Sequence, residues 1–517
     1  MDTPTAATAA TTTETMADST VPPVPVESWT VHLASGLRLQ VPPSLRSLTT
    51  YVLLEQETWF EPEMSLMPLL LEPGTHALDI GANHGIYALE IARCTGTGHV
   101  WAFEPTSEPL HRLRASVADN GMQQRITVVA AGLADADGEA SFELQANSEL
   151  NSRSGTGTRR ETVRLLALDG YLAAHAAGYR IGFVKLDAEG EEVNVLAGAQ
   201  RFFAQQSPVV MFEFKHGAAQ NTPLLQAWQA MGFGLFRWSA ELALLLPFDA
   251  QTSELDFALN LFAVRPTQQQ GLAQRGLLVT PEALASAQPQ EAGASGLLWL
   301  CQQPALQGLA LDALLHDDAY AHALRAVAAA HGAPGLAPAQ RAALMIEARQ
   351  GLFQACASGA PMEAEAWALL VHVLLALGAQ NAAVQMAGAL LARWPAGAAP
   401  ARPVMPPRRA DLQRDRSTPP DTWLRQMLGE FVQTHCAFSS YFMPPVPQRF
   451  AALLQHPDHS AEIERRFLLM HVAAGTAAPV GELSRLAEPG RTHNPTLWQG
   501  LMRAMAVGSQ SSEVLAT

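Results

Sequence analysis

The stretch HALDIGANHGIYALEIA, residues 76–92, decides the fold. It opens with an apolar run, turns through Gly81-Ala82-Asn83-His84-Gly85 and continues with apolar residues at helical spacing. Strand, glycine-bearing turn and helix in this order form the first βα unit of a parallel sheet that binds a ligand at its carboxyl edge. Gly81 is expected to let the chain turn sharply off the strand, and Gly85 to let backbone approach the ligand where a side chain would collide. Asp79 can accept hydrogen bonds from the loop amides or attract a cationic ligand group.

Outward from this unit, short apolar runs alternate with amphipathic stretches. HVWAFEP (99–105), ITVVAAG (126–132), GFVKLDAEG (182–190), PVVMFEF (208–214), GFGLFRW (232–238) and ALNLFAV (258–264) complete a set of seven sheet strands, the last two closing as a hairpin. EASFEL (139–144) and ETVRLLAL (161–168) read as an additional hairpin. The pattern predicts an α/β fold, a Rossmann-like sheet with helices on both faces.

The chain has 517 residues, too many for one ordinary domain of roughly 100–200 residues. Residues 1–28, rich in Thr, Ala and Pro with no basic start or apolar core, read as a disordered tail. Residues 29–72 read as a β-hairpin around Ser35-Gly36 followed by a helical cap, and 73–266 as the sheet domain. Beyond 266 Ala/Leu-rich helical periodicity takes over: a helical region at 267–396, a Pro/Arg-rich linker at 397–420 and a helical region at 421–517. Within the first, Trp367, Gly378, Ala383 and Pro395 fall at tetratricopeptide offsets, so a degenerate helical-hairpin stack and a generic all-α domain are both open.

Glu104 follows Gly85 by nineteen residues and ends the second strand, where an acid binds ribose hydroxyls. A nicotinamide-dinucleotide oxidoreductase would carry the same acid, but also a middle glycine that admits the pyrophosphate, which Asn83 replaces here. S-adenosylmethionine carries no phosphate and suits the tighter loop. Asp79, Gly81, Asn83, Gly85 and Glu104 are therefore the expected cofactor-binding residues, with His84 either on the cofactor or capping backbone amides.

With these residues in place, the segment from about Tyr51 to Val264 resembles the FkbM family of methyltransferases. The likeness rests on ETWFEPE (57–63), LEPGTHALDIGANHGIYA (71–88), VWAFEP (100–105), FVKLDAEGEEVNVLAGA (183–199) and VVMFEF (209–214), the fourth block being the most specific. The resemblance implies a Rossmann-like class I methyltransferase sheet, methyl transfer from S-adenosylmethionine and an acceptor hydroxyl on a sugar, glycan or glycosylated metabolite. It covers roughly two fifths of the chain and says nothing of the helical half.

Ligands of open α/β sheets sit beyond the carboxyl ends of the strands, so residues there are candidates for chemistry. Asp187 is the first candidate for the base or orienter of an acceptor hydroxyl, His216 the second, and Glu189 a further carboxylate at the same edge. Asp187 would instead cap the next helix if that helix began near Glu189. A divalent metal on the DAEGEE cluster is a weaker alternative, and no metal ligand is assigned. Lys185 shares a strand face with Asp187 and can pair with it or with the cofactor carboxylate. Trp59, Phe60 and Trp238 are candidates for stacking on a sugar ring, against the commoner fate of core packing.

The formal net charge of −15 disfavours nucleic acid as a partner, and no apolar run reaches the length of a membrane span. The one basic cluster, Arg402 to Arg416, is Pro-rich and reads as a solvated linker. Four scattered cysteines form neither a zinc motif nor a disulfide framework, and a reducing cytoplasm is the expected compartment. The helical half is a candidate surface for a protein partner, and a scaffold with a vestigial sheet domain is the alternative that is not an enzyme.

Overall fold

The computed structural model describes residues 27–145, 159–214, 221–249, 258–289, 294–302, 318–333, 335–357, 364–394, 402, 404–405, 419–456, 459–476, 486, 488 and 490–507. The tail reading of 1–26 and His216 lie outside them.

The chain enters through the antiparallel pair β1 (Trp29–His32) and β2 (Arg38–Val41), with Gly36 in the turn at φ +85°. Helices α1 (Leu48–Gln56) and α2 (Met67–Leu70) follow. The alternating series is β3 (His76–Ile80), α3 (Ile86–Thr95), β4 (Val100–Phe103), α4 (Ser107–Asp119) and β5 (Ile126–Val129). Next come β6 (Gly132–Ala134), β7 (Gly138–Leu144), β8 (Arg159–Ala167), α5 (Leu168–His175) and β9 (Ile181–Leu186). The domain finishes with α6 (Glu192–Ala197), α7 (Gln200–Gln205), β10 (Val209–Glu213), α8 (Thr222–Ala230), β11 (Gly234–Ser239), β12 (Leu244–Pro247) and β13 (Asn260–Val264).

The main sheet has the order β12-β11-β13-β10-β9-β3-β4-β5. Strands β10, β9, β3, β4 and β5 run parallel, and β13 is antiparallel to both β10 and β11. The sheet therefore has eight strands rather than seven. The eighth, β12, pairs with β11 across a turn, Ala240 to Ala243, that contains no Gly, Pro or Asn to announce it. β6, β7 and β8 form a separate three-stranded sheet in which β7 and β8 pair antiparallel.

The strands read as unbroken apolar runs because both faces of the sheet are covered. On one face Ala77, Ala102, Phe183, Met211 and Phe262 pack against α3 and α4. On the other, Leu78, Phe103, Val184 and Phe212 pack against α5 to α8, where Trp228 is fully buried. The C-terminal region is helical. Ala364–Ala376 and Gln380–Arg393 form a helical hairpin with Gly378 at φ +84° in its turn, Ala383 buried and the Arg393 guanidinium 5.3 Å from the centre of the Trp367 ring. Pro395 lies outside the described residues. This region shares a core with Leu242, Leu244 and Leu246, so it docks along the β12 edge.

The segment read as a solvated linker is docked where it is described. Arg402 pairs with Asp318 at 2.9 Å and stacks on Tyr320, and Val404 and Met405 are buried. The apolar pair anchors it. Among the described residues no helix is long and apolar enough to cross a membrane.

The last helices return to the front of the molecule. Glu55, fully buried on α1, accepts from the Ser440 amide at 3.1 Å and pairs with Arg466 at 3.2 Å. Glu57 accepts from the His493 amide at 2.7 Å and pairs with Arg465 at 3.5 Å, while Asn494 bridges both backbone groups of His32. Cap and C-terminal helices thus form one wall. Arg466→Met leaves the Glu55 carboxylate buried without its cation, and a loss of about 3–5 kcal/mol in denaturant titration is expected.

Candidate active site

The turn after β3 and the turn after β9 meet at one point. The Asp187 amide donates to the Ile80 carbonyl at 3.0 Å, and a Cβ on Gly81 would stand 1.8 Å from the Asp187 carbonyl oxygen. Gly81, at φ +79°, is required by this backbone contact as much as by its own turn. Gly85 has a different reason from the one expected. At φ +96° it sits at the start of α3, where a Cβ would meet Leu113 Cδ1 of α4 at 2.6 Å, and it does not line the cavity. Its bareness serves helix packing.

The cavity opens at the carboxyl edge of β3, β4 and β9. Its walls include Gly81, Asn83, Glu104, Lys185, Asp187 and Glu189. Glu104 is buried; it accepts from the Asn83 amide at 3.0 Å and from the Thr106 amide at 2.9 Å, so the acid on β4 pins the glycine loop. Burial holds its carboxyl above the usual range despite these bonds. Asn83 adopts φ +47° to present that amide. Asp79 lies behind the loop, fully buried, with the Ala88 backbone N–H acting on its carboxylate. Burial pushes its pKa up to about 6 against the pull of Lys185. His84 is buried, its ring nitrogens meeting no hydrogen-bond partner among the described residues, and desolvation, with Arg112 nearby, lowers it to about 3, so it is neutral.

Lys185 Nζ donates to Asp187 Oδ2 at 2.8 Å and lies 5.0 Å from the centre of the Tyr87 ring. Burial works against its charge, yet the fields of Asp187, Asp79 and Glu61 outweigh it and hold the ammonium protonated. Asp187 does not cap the helix that follows. Glu189 and Gly190 take φ of +50° and +97°, a left-handed turn that delays the helix to Glu192. Glu192 Oε1 accepts from the Ala188 and Gly190 amides at 3.1 and 3.0 Å and braces that turn. Asp187, Glu192 and Glu213 each bring a carboxylate oxygen within 4.8 Å of the others. Lys185 and the turn amides already engage the first two.

Sequence reasoning singled out Trp59 but missed Glu61, Thr49 and Tyr87 on the cavity wall. Glu61 and Thr49, from the cap, line the cavity together with Trp59 and Tyr87. Tyr87 donates its hydroxyl to Glu61, and Asn260 Nδ2 donates to Glu61 at 2.9 Å and to Glu63 at 3.4 Å. Burial, opposed by Lys185, raises Glu61, and burial with the charge of Glu61 raises Glu63 to about 8. ETWFEPE marked this segment, but no spacing rule tied its acids to the sheet.

Parallel strands in this order with β13 antiparallel beside them, a glycine turn after β3 and an acid after β4 form a Rossmann-like mixed sheet that resembles the class I methyltransferase fold. Residues 79–235 match the family described as the Methyltransferase FkbM domain. Among solved structures, the chain is similar to methyltransferase FkbM from Methylobacillus flagellatus KT, at 18% identity over 37% of this chain and 43% of that one, TM-score 0.26. It is also similar to precorrin-6y C5,15-methyltransferase from Geobacter metallireducens GS-15, at 13% identity over 40% and 87% of the two chains, TM-score 0.24. A SAM-dependent O-methyltransferase from Thermotoga maritima is similar at 14% identity over 46% and 77%, TM-score 0.25. The chain thus spans less than half the length of the first of these. No curated protein matches it.

Two outcomes follow from the site's packing. Gly81→Ala drives a methyl group into the Asp187 carbonyl, and a loss of roughly 3 kcal/mol or more is expected in denaturant titration. Glu63 is raised in the folded state, so the stability it lends is full below the ordinary carboxyl range and is lost as pH climbs through about 8. Glu63→Gln should therefore raise the thermal midpoint at high pH and change it little in mild acid, as differential scanning fluorimetry across a pH series would show.

Proposed function

We propose that the protein binds S-adenosylmethionine in the cavity at the carboxyl edge of β3, β4 and β9 and methylates a hydroxyl on a sugar, glycan or glycosylated metabolite. The observation that carries this reading is the charge of the cavity wall. Glu61, Glu104, Asp187, Glu189 and Glu191 line it, and Lys185 is its one permanent cation among the described residues. Such a wall attracts a cationic ligand and repels the pyrophosphate of a dinucleotide. The oxidoreductase reading loses support on that ground and on the absent middle glycine.

The residues present fit the cofactor. Asn83, fixed on Glu104, and the backbone at Gly81 form its floor, and Glu104 is placed for ribose hydroxyls. Asp79, buried behind that floor, acts on the cofactor site through the negative charge it shares with Lys185 beneath the glycine loop. When bound, S-adenosylmethionine supplies an electrophilic methyl group. Asp187, half-buried at the cavity and held by Lys185, orients the acceptor hydroxyl and takes its proton. Glu61, fixed by Tyr87 and Asn260, faces the acceptor from the cap side and positions it, and Glu189 adds a carboxylate at the rim.

Isothermal titration of the full chain with S-adenosylmethionine checks the assignment. Micromolar-range binding is expected, weakened about tenfold or more by Asp79→Ala or Glu104→Ala. The absence of binding by the unaltered chain would remove it.

A further inference from the structure

A second cavity, about 290 Å³, lies between the sheet domain and the C-terminal helices and shares no lining residue with the methyl-transfer cavity. Glu63, from the cap, stands in its wall and is only 3% exposed. The Asn260 amide donates to its carboxylate at 3.4 Å, and no cation comes within ion-pair distance of it among the described residues. Lys185 serves Asp187, Asp79 and Glu61, whereas Glu63 is raised by burial and by the charge of Glu61 with no opposing cation. A buried acid without a counter-charge is costly, and at a cavity wall the missing charge is one that a ligand can supply.

The other polar groups of the wall accept rather than donate. The side-chain amide nitrogens of Gln56 and Gln380 are turned onto the Phe438 and His435 carbonyls at 2.7 and 2.8 Å, and that of Asn260 onto Glu61 and Glu63. The indole N–H of Trp238 goes to Ser65 at 3.1 Å. The three amide oxygens accept no hydrogen bond among the described residues, so the wall offers acceptors in want of donors.

Its guanidinium groups are engaged. Arg466 lies between Glu55 at 3.2 Å and Glu462 at 2.8 Å, and Arg237 donates to the Leu377 carbonyl at 2.6 Å. Glu63, Glu241 and Glu462 line the space and Glu55 stands behind Arg466, so carboxyl groups outnumber the two arginines. Phe60, Trp238 and Phe438 supply aromatic surface, which buries an apolar body and attracts a nearby cation.

We infer that this cleft binds a primary organic ammonium ion, its N–H groups on Glu63 and the amide oxygens and its apolar body against the aromatic side chains. A quaternary ammonium would leave the acceptors without donors, and an anion would face the acids. Asn260 also holds Glu61 at 2.9 Å, so the occupant acts on the wall of the methyl-transfer cavity from outside it, as an effector. That consequence rests on the methyltransferase reading above; the binding does not.

The test is calorimetric titration of the full chain with phenethylamine, its neutral counterpart 2-phenylethanol, its quaternary counterpart phenethyltrimethylammonium and the anion phenylacetate. The amine is expected to bind about tenfold or more tightly than each of the others. Glu63→Gln, which keeps the shape of the side chain and removes an unpaired buried acid, should fold and should abolish the advantage over the alcohol, while Phe438→Ala weakens the amine roughly fivefold. Unaltered S-adenosylmethionine affinity in Glu63→Gln, measured without amine, would place the effect in the second cavity. No binding of phenethylamine at millimolar concentration, equal binding of amine and alcohol, or an amine affinity indifferent to Glu63→Gln would overturn the site. Failure of the unaltered chain to bind S-adenosylmethionine instead overturns the methyltransferase reading and leaves a Glu63-dependent amine result standing.

Discussion

Lys185 is buried at the end of β9 among carboxylates from three parts of the chain: Asp187 beyond its own strand, Asp79 on β3 and Glu61 from the cap. A buried ammonium survives only when paired, and buried acids this close ionise together only around a cation. The group therefore ties the glycine loop, the Asp187 turn and the cap to one another electrostatically. The ring of Tyr87 completes the enclosure while its hydroxyl holds Glu61. Because the acids outnumber the lysine, the cavity keeps a negative bias.

The C-terminal helices matter to the same site through the cap. Glu55 and Glu57 are held by Arg466, Arg465 and His493, partners more than four hundred residues away in sequence. Glu61 and Trp59 follow within six residues, so the pairs that dock the helical half also set where these two side chains face the cavity.

Much of the sheet was legible because its signals are local. The apolar run of β3, the turn at Gly81 and Glu104 nineteen residues past Gly85 belong to one βαβ unit, where spacing along the chain fixes spacing in space. β12 was hidden because its turn has no conventional turn residue, with Ala243 itself at φ +51°. The capping alternative for Asp187 stays open in the sequence for a related reason: Glu189 adopts a left-handed conformation, at φ +50°, that carboxylate side chains seldom signal. At Gly85 the turn and helix packing add constraints the spacing did not record, a left-handed φ of +96° and Leu113 of the next helix beside the position of a Cβ. Glu61 and Asn260, 199 residues apart, share a hydrogen bond that no periodicity records.

Hydrogen–deuterium exchange of the full chain with and without S-adenosylmethionine tests the central claim most directly, because it reports where the ligand sits as well as whether it binds. The account predicts slowed exchange in three separate segments, the loop around Gly81 to His84, the Glu104–Thr106 turn and the Asp187–Glu192 turn. Exchange left unchanged in all three at saturating ligand, or slowed only in the helical half, would contradict it.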